Sequence, residues 1–157
     1  MSDLEARVRR LEDVEAIRRL KARYCFACDA GYDVEALAEL FTEDAVWDGG
    51  ALGVAEGREA IRRFFERAPQ AMSFAVHMVT NPLIEIDGDT ATGAWYLLQA
   101  ATHAPSESAV WGSARYDEEY VRTETGWKFR RLRLTSHFWT PYGSGWLAER
   151  SIFEPGG

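Results

Sequence analysis

The chain has 157 residues, 46% of them apolar and 27% charged, which suits one domain built around one core. Its 25 acidic and 18 basic side chains give a net charge of −7, which argues against a nucleic-acid binder and against a protein held by charge on an anionic membrane. Only three histidines, His77, His103 and His137, are available for proton chemistry near neutral pH. Residues 3–30 read as one long helix, because Leu4, Val8, Leu11, Val14, Ile17, Leu20 and Tyr24 recur at three- and four-residue spacing. Arg7, Arg9, Arg10, Arg18, Arg19 and Arg23 fall off that stripe and face solvent. Gly31 ends the helix as a C′ glycine, and Asp33 caps a short second helix carrying Leu37, Leu40 and Phe41. Ala45–Asp48 is a short strand, turned by Gly49-Gly50, with Leu52–Ala55 as its partner. A third helix runs from Arg58 to Arg67 with Ile61, Phe64 and Phe65 inward, and Pro69 stops it.

Four long strands follow: Ser73–Ile86, Thr90–His103, Ala109–Arg122 and Trp127–Trp139. Asp87-Gly88-Asp89, Pro105-Ser106 and Thr125-Gly126 turn the chain between them, so they form an antiparallel meander. Helices first and a meander afterwards is an α+β pattern. On the last strand Leu132, Leu134, Ser136 and Phe138 share the core face, which puts Arg131, Arg133 and His137 outside. The tail, Tyr142–Gly157, keeps Trp146, Leu147, Ile152 and Phe153, and should dock on a pocket mouth or a neighbouring subunit. The start of the chain has neither a basic nor an apolar leader segment, and no apolar run approaches the ~20 residues of a membrane helix. Cys25 and Cys28 form a C-x-x-C near a helix end rather than after a strand, so they read as small packing residues in a reducing cytoplasm. No second cysteine pair and no H-x-H or H-E-x-x-H spacing is present, so neither a metal nor a cofactor is expected.

This order of elements resembles the NTF2-like (SnoaL-like) family, a cone-shaped α+β barrel with three N-terminal helices packed on a curved antiparallel sheet. The strings that carry the resemblance are Ala16-Ile17 with Tyr24 and Asp29, Leu40-Phe41-Thr42-Glu43-Asp44-Ala45, Gly57-Arg58-Glu59-Ala60-Ile61 and Gly126-Trp127-Lys128-Phe129. It implies a single domain over residues 1–157, with a core of about residues 10–140 and a tail of 141–157 acting as lid or subunit contact. One branch, which includes scytalone dehydratase, bile acid 7α-dehydratase and the hexachlorocyclohexane dehydrochlorinase, carries an Asp near the end of the first helix and a His on the first long strand. Asp29 and His77 stand in those places, and Tyr24 matches a Tyr of the bile acid enzyme.

The resemblance therefore implies that Asp29, His77 and Tyr24 are catalytic. The chemistry fits: a carboxylate beside a His fixes its tautomer and stabilises the imidazolium formed when it takes a proton. Core packing of His77 and Tyr24, and a solvated Asp29, are the plain structural alternatives. Trp95, Gln99 and His103 alternate on one face of the second long strand, and with Trp47 they are the expected substrate contacts. Where the dehydrochlorinase has an Arg, this chain has Leu132, so a cation for a departing chloride is missing unless a bulge turns Arg131 or Arg133 inward. The expected activity is that of a cofactor-independent, dehydratase-like lyase acting on a small hydrophobic cyclic, steroid- or polyketide-like substrate. The alternatives are an isomerase or cyclase using the same base, and a non-catalytic ligand-binding module or β subunit of a ring-hydroxylating dioxygenase. Relatives of this branch imply a homo-oligomer, a trimer before a dimer.

Overall fold

A computed structural model describes residues 2–153. Helix α1 spans Asp3–Asp29 and opens with a capping box. Ser2 Oγ accepts the Glu5 N–H at 3.2 Å, and the Glu5 carboxylate accepts the Ser2 N–H at 2.7 Å. The expected apolar stripe packs only in its second half. Ile17, Leu20, Tyr24, Cys25 and Cys28 are buried, but Leu4 and Leu11 are 66% and 70% exposed, because the helix begins beyond the sheet it lies on.

The boundary between the two halves is Asp13. Its carboxylate accepts the Arg122 guanidinium at 2.7 Å and the Trp127 indole N–H at 3.1 Å, while Arg122 also binds Asp89 at 2.8 Å. The Arg122 hydrogen bond holds the Asp13 carboxyl below its ordinary pKa. A depressed carboxyl pKa contributes stability above the unfolded value of about 3.9, and that contribution is lost as pH falls through the folded value. Asp13→Asn should therefore cost about 1–3 kcal/mol at neutral pH. It should also flatten the acid limb of a plot of Tm against pH below about pH 4. A variant with wild-type Tm and the same acid limb would count against this clamp.

Helix α2 (Val34–Glu39) is capped by Asp33, whose carboxylate accepts the Ala36 N–H at 3.1 Å. Phe41 was expected in this helix but opens strand β1 (Phe41–Asp48), where it pairs with Phe129 and their rings lie 5.1 Å apart. Strand β2 (Val54–Glu56) returns antiparallel to β1. Helix α3 (Arg58–Ala71) runs past the expected stop at Pro69. A proline in the last turn removes a single hydrogen bond, and the helix closes with the Met72 N–H on the Ala68 carbonyl.

Strands β3 (Met72–Asp87), β4 (Thr90–His103), β5 (Ser108–Thr123) and β6 (Gly126–Pro141) form the antiparallel meander. The full sheet order is β2-β1-β6-β5-β4-β3. The expected antiparallel pairing holds for the meander, but β1 lies parallel to β6, with the segment from β2 to β5 as the crossover. The register between β5 and β6 skips His137: Ser113 faces Phe138 and Ala114 faces Ser136. This bulge reverses the alternation beyond it, so Trp139, not Phe138, turns into the interior at 3% exposure. Gly112 permits this, since a Cβ there would lie 2.3 Å from the Trp139 ring.

The tail folds back on its own domain. The Trp139 N–H donates to the Arg150 carbonyl and the Ile152 N–H to the Trp139 carbonyl, both at 2.9 Å. Phe153 packs on Trp139, and Trp146, from the short helix α4 (Gly145–Ala148), stacks on Phe138 at 5.0 Å. The last part of the expected tail, 154–157, lies outside the described residues. No helix among the described residues is long and apolar enough to cross a membrane.

Candidate active site

Asp29 is the last residue of α1 and His77 lies in β3, the edge strand on which α1 packs. The His77 Nδ1–H donates to Asp29 Oδ1 at 2.6 Å. The His77 backbone N–H donates to the same carboxylate, at 3.0 and 3.2 Å from its two oxygens. An ionised carboxylate only accepts, so it fixes the proton on Nδ1 and leaves Nε2 as the basic ring nitrogen. The His77 side chain is 7% exposed and the Asp29 side chain 23%.

His77 lines a cavity of about 480 Å³, a size that suits a small organic ligand. Its walls are mostly apolar and aromatic, among them Trp47, Leu52, Phe64, Phe65 and Leu134. Gln99 is the cross-strand neighbour of His77, is 4% exposed, and reaches the same cavity. Tyr24 is buried at the cavity wall, and its hydroxyl oxygen accepts the Trp47 indole N–H at 3.0 Å. Burial pushes the Tyr24 pKa well above its ordinary value, so the phenol keeps its proton and can donate it to a ligand oxygen. Trp47 is held in turn by Phe64, with ring centroids 4.2 Å apart.

Trp95 and His103 do not join these residues. Trp95 points inward as expected, but it is packed in the interior, where its indole N–H donates to the Tyr120 hydroxyl at 3.0 Å. His103 stands at the end of β4, bonded to the Ser106 hydroxyl at 2.7 Å and edged by Phe153. His137 bonds Ser113 on the exposed face. Arg131 and Arg133 remain outside, and Leu132 is fully buried between them.

Two features were not found by reading the sequence. Tyr32 lines the cavity with its ring stacked on Phe65, centroids 6.1 Å apart. Its backbone has φ 63°, a left-handed conformation that costs a non-glycine residue of order 1–3 kcal/mol and clusters at functional sites. Its hydroxyl has no hydrogen-bond partner among the described residues, and burial raises its pKa, so it too stays protonated. Periodicity gives no sign of it, because it sits in the turn after Gly31. The second feature is Lys21, fully buried, with Nζ 2.5 Å from Glu118 Oε1 and 3.2 Å from the centroid of the Tyr116 ring. The Tyr120 hydroxyl donates to the other oxygen of Glu118. Lys21 falls on the same helix face as Ile17, Tyr24 and Cys28, and Glu118 alternates with Tyr116 and Tyr120 on the inward face of β5. A charge on each of two apolar faces was the available signal.

Cys25 and Cys28 are free and buried. Burial pushes the Cys25 thiol up to about 11 and raises Cys28 as well, so neither is poised as a thiolate nucleophile. Among the described residues, no three His, Cys, Asp or Glu side chains converge as a metal site would require.

The SnoaL-like domain family matches residues 9–133. The chain belongs to that family. An uncharacterized protein of Mycobacterium tuberculosis is 29% identical over 133 residues, covering 83% of this SnoaL-like chain and 90% of its own. A crystal structure from Novosphingobium aromaticivorans, named for an aromatic ring hydroxylase, is 33% identical with a TM-score of 0.77, over 83% of this chain and 94% of that one. A type 2 hexachlorocyclohexane dehydrochlorinase is 25% identical with a TM-score of 0.79, over 89% and 93% of the two chains. The solved neighbours of this SnoaL-like domain thus include a lyase for a small cyclic molecule.

Proposed function

We propose that this protein is a cofactor-independent lyase that removes water from a small hydrophobic cyclic substrate. The observation that carries this reading is the Asp29–His77 pair at the wall of an apolar cavity. His77 Nε2 takes a proton from a carbon next to a carbonyl, and Asp29 stabilises the imidazolium. The electrons of the C–H bond form the new C=C bond as the β-hydroxyl leaves. The imidazolium returns its proton to that hydroxyl, which departs as water. The protonated hydroxyls of Tyr24 and Tyr32 hydrogen-bond the carbonyl oxygen as negative charge develops on it. Gln99 and Trp47 complete the substrate contacts.

A dehydrochlorinase reading has less support here. Leu132 occupies the place of the dehydrochlorinase's Arg, and the only cationic side chains lining the cavity, among the described residues, are Arg63 and Arg67 at its exposed rim. An isomerase would use the same base and return the proton to another carbon. Phe74, Val76, Met78, Tyr96 and Leu98 expose apolar surface on the outer face of β3 and β4, which supports a homo-oligomer, and the family resemblance puts a trimer before a dimer. The two free thiols fit a reducing cytoplasm.

The test is incubation of the protein with a panel of β-hydroxylated cyclic ketones in heavy water. Dehydration predicts an enzyme-dependent product lighter by one water, with deuterium at the acidic carbon only of recovered substrate that has lost and regained its proton. Deuterium uptake without loss of water supports the isomerase instead. Absence of both exchange and product across the panel overturns proton abstraction.

A further inference from the structure

Helix α3 carries four arginines, and they divide into two sets. Arg58 is held by the Glu43 carboxylate and the Phe41 carbonyl, and Arg62 by Glu35 with Glu66 one turn away. Arg63 and Arg67 form no ion pair or hydrogen bond among the described residues, yet both line the cavity. They lie four residues apart and so share a helix face with Ala60, Phe64 and Ala68, which also line it. Both are exposed, whereas Tyr24, Gln99 and Tyr116 are each under 5% exposed, so the two guanidinium groups mark the mouth and His77 an inner wall. The one carboxylate among the lining residues is Glu56, which leaves a single surplus positive charge at that mouth. The rest of the chain is strongly acidic, with a net charge of −7.

We infer that Arg63 and Arg67 form a subsite for a substrate carboxylate, so that the molecule presented to His77 is an amphipathic monoanion with an apolar ring body. A carboxylate matches the flat donor fork of a guanidinium, and one negative charge matches the surplus of one. The apolar body then lies between Trp47, Phe64 and Leu134, with its acidic C–H toward His77. This assignment of substrate class rests on the lyase reading for its consequence, but the binding site itself does not depend on turnover.

The experiment measures binding by calorimetry, at low and high salt, for three probes of one shape: 2-naphthylacetate, its neutral amide and 2-naphthyl phosphate. The carboxylate should bind the wild-type protein about tenfold more tightly than the amide at low salt, and the advantage should shrink at high salt. In Arg63→Gln/Arg67→Gln the carboxylate should fall to the affinity of the amide, while the amide is unchanged. Equal binding of acid and amide by the wild type, retention of the preference in the double variant, or failure of both probes to bind would overturn the subsite. Tighter binding of the phosphate than of the carboxylate would overturn the assignment to a carboxylate. The same probes on His77→Gln separate the two conclusions: a preserved preference with an inactive wild type would sink the lyase reading and leave the subsite standing.

Discussion

Replacing His77 by Gln should lower turnover by about 10²–10⁴-fold while leaving the thermal midpoint close to that of the wild type. The side chain lines the cavity and carries one hydrogen bond of its own, to Asp29, so its loss removes the proposed base without opening the core. Asp29→Asn should be nearly as damaging for a different reason. An amide facing Nδ1 can donate to it, which moves the ring proton to Nε2 and leaves no basic nitrogen toward the substrate. Asp29→Ala goes further, because the same carboxylate also receives the His77 backbone N–H, and that variant should lose stability as well as activity. Steady-state kinetics with calorimetric midpoints on the three variants checks this. A His77→Gln protein with undiminished turnover would remove the base from the mechanism.

Lys21→Met should be the most destabilising of the variants considered, by about 3–5 kcal/mol. Lys21 and the Glu118 side chain are both fully buried, so removing the cation strands an ionised carboxylate that retains only the Tyr120 hydroxyl. The paired change Lys21→Met/Glu118→Leu should recover most of that loss, since an apolar pair of similar volume carries no desolvation penalty. Urea denaturation with an unchanged slope for all variants would isolate the coupling. A loss under about 1 kcal/mol for Lys21→Met alone would mean that water reaches the pair. Tyr116 lies directly beneath the Lys21 ammonium and also lines the cavity, so a partial loss of turnover should accompany the loss of stability.

The architecture could be read from the order of elements because each carries a local signal: the Asp33 cap, the Gly31 stop, the turn at Asp87-Gly88-Asp89 and the period-two alternation of β4 and β5. The errors fall where tertiary contact overrides local pattern. Leu4 and Leu11 have helical periodicity but no sheet to cover them, and Phe138 exchanged faces with Trp139 because one inserted residue at His137 cannot be seen in alternation alone. The parallel pairing of β1 with β6 is set by the closure of the sheet, not by either strand. At the site, Asp29 and His77 came from family resemblance, and Gln99 and Trp47 from strand alternation and aromatic content. Trp95 was placed on the correct face but at the wrong depth, since alternation gives a side and not a position along the cavity. Tyr32 was missed because a left-handed turn residue belongs to no periodic pattern.

The position of His77 on an edge strand gives Asp29 a second duty. An edge strand leaves alternate amides unpaired, and such a row is a template on which a foreign strand can add. At His77 that amide points away from β4 and is already occupied by the Asp29 carboxylate, whose negative charge would also repel an incoming carbonyl. The carboxylate that faces the proposed base therefore also closes the sheet's exposed border at that point, and a chain that loses it should be more prone to pair with its neighbours along that border.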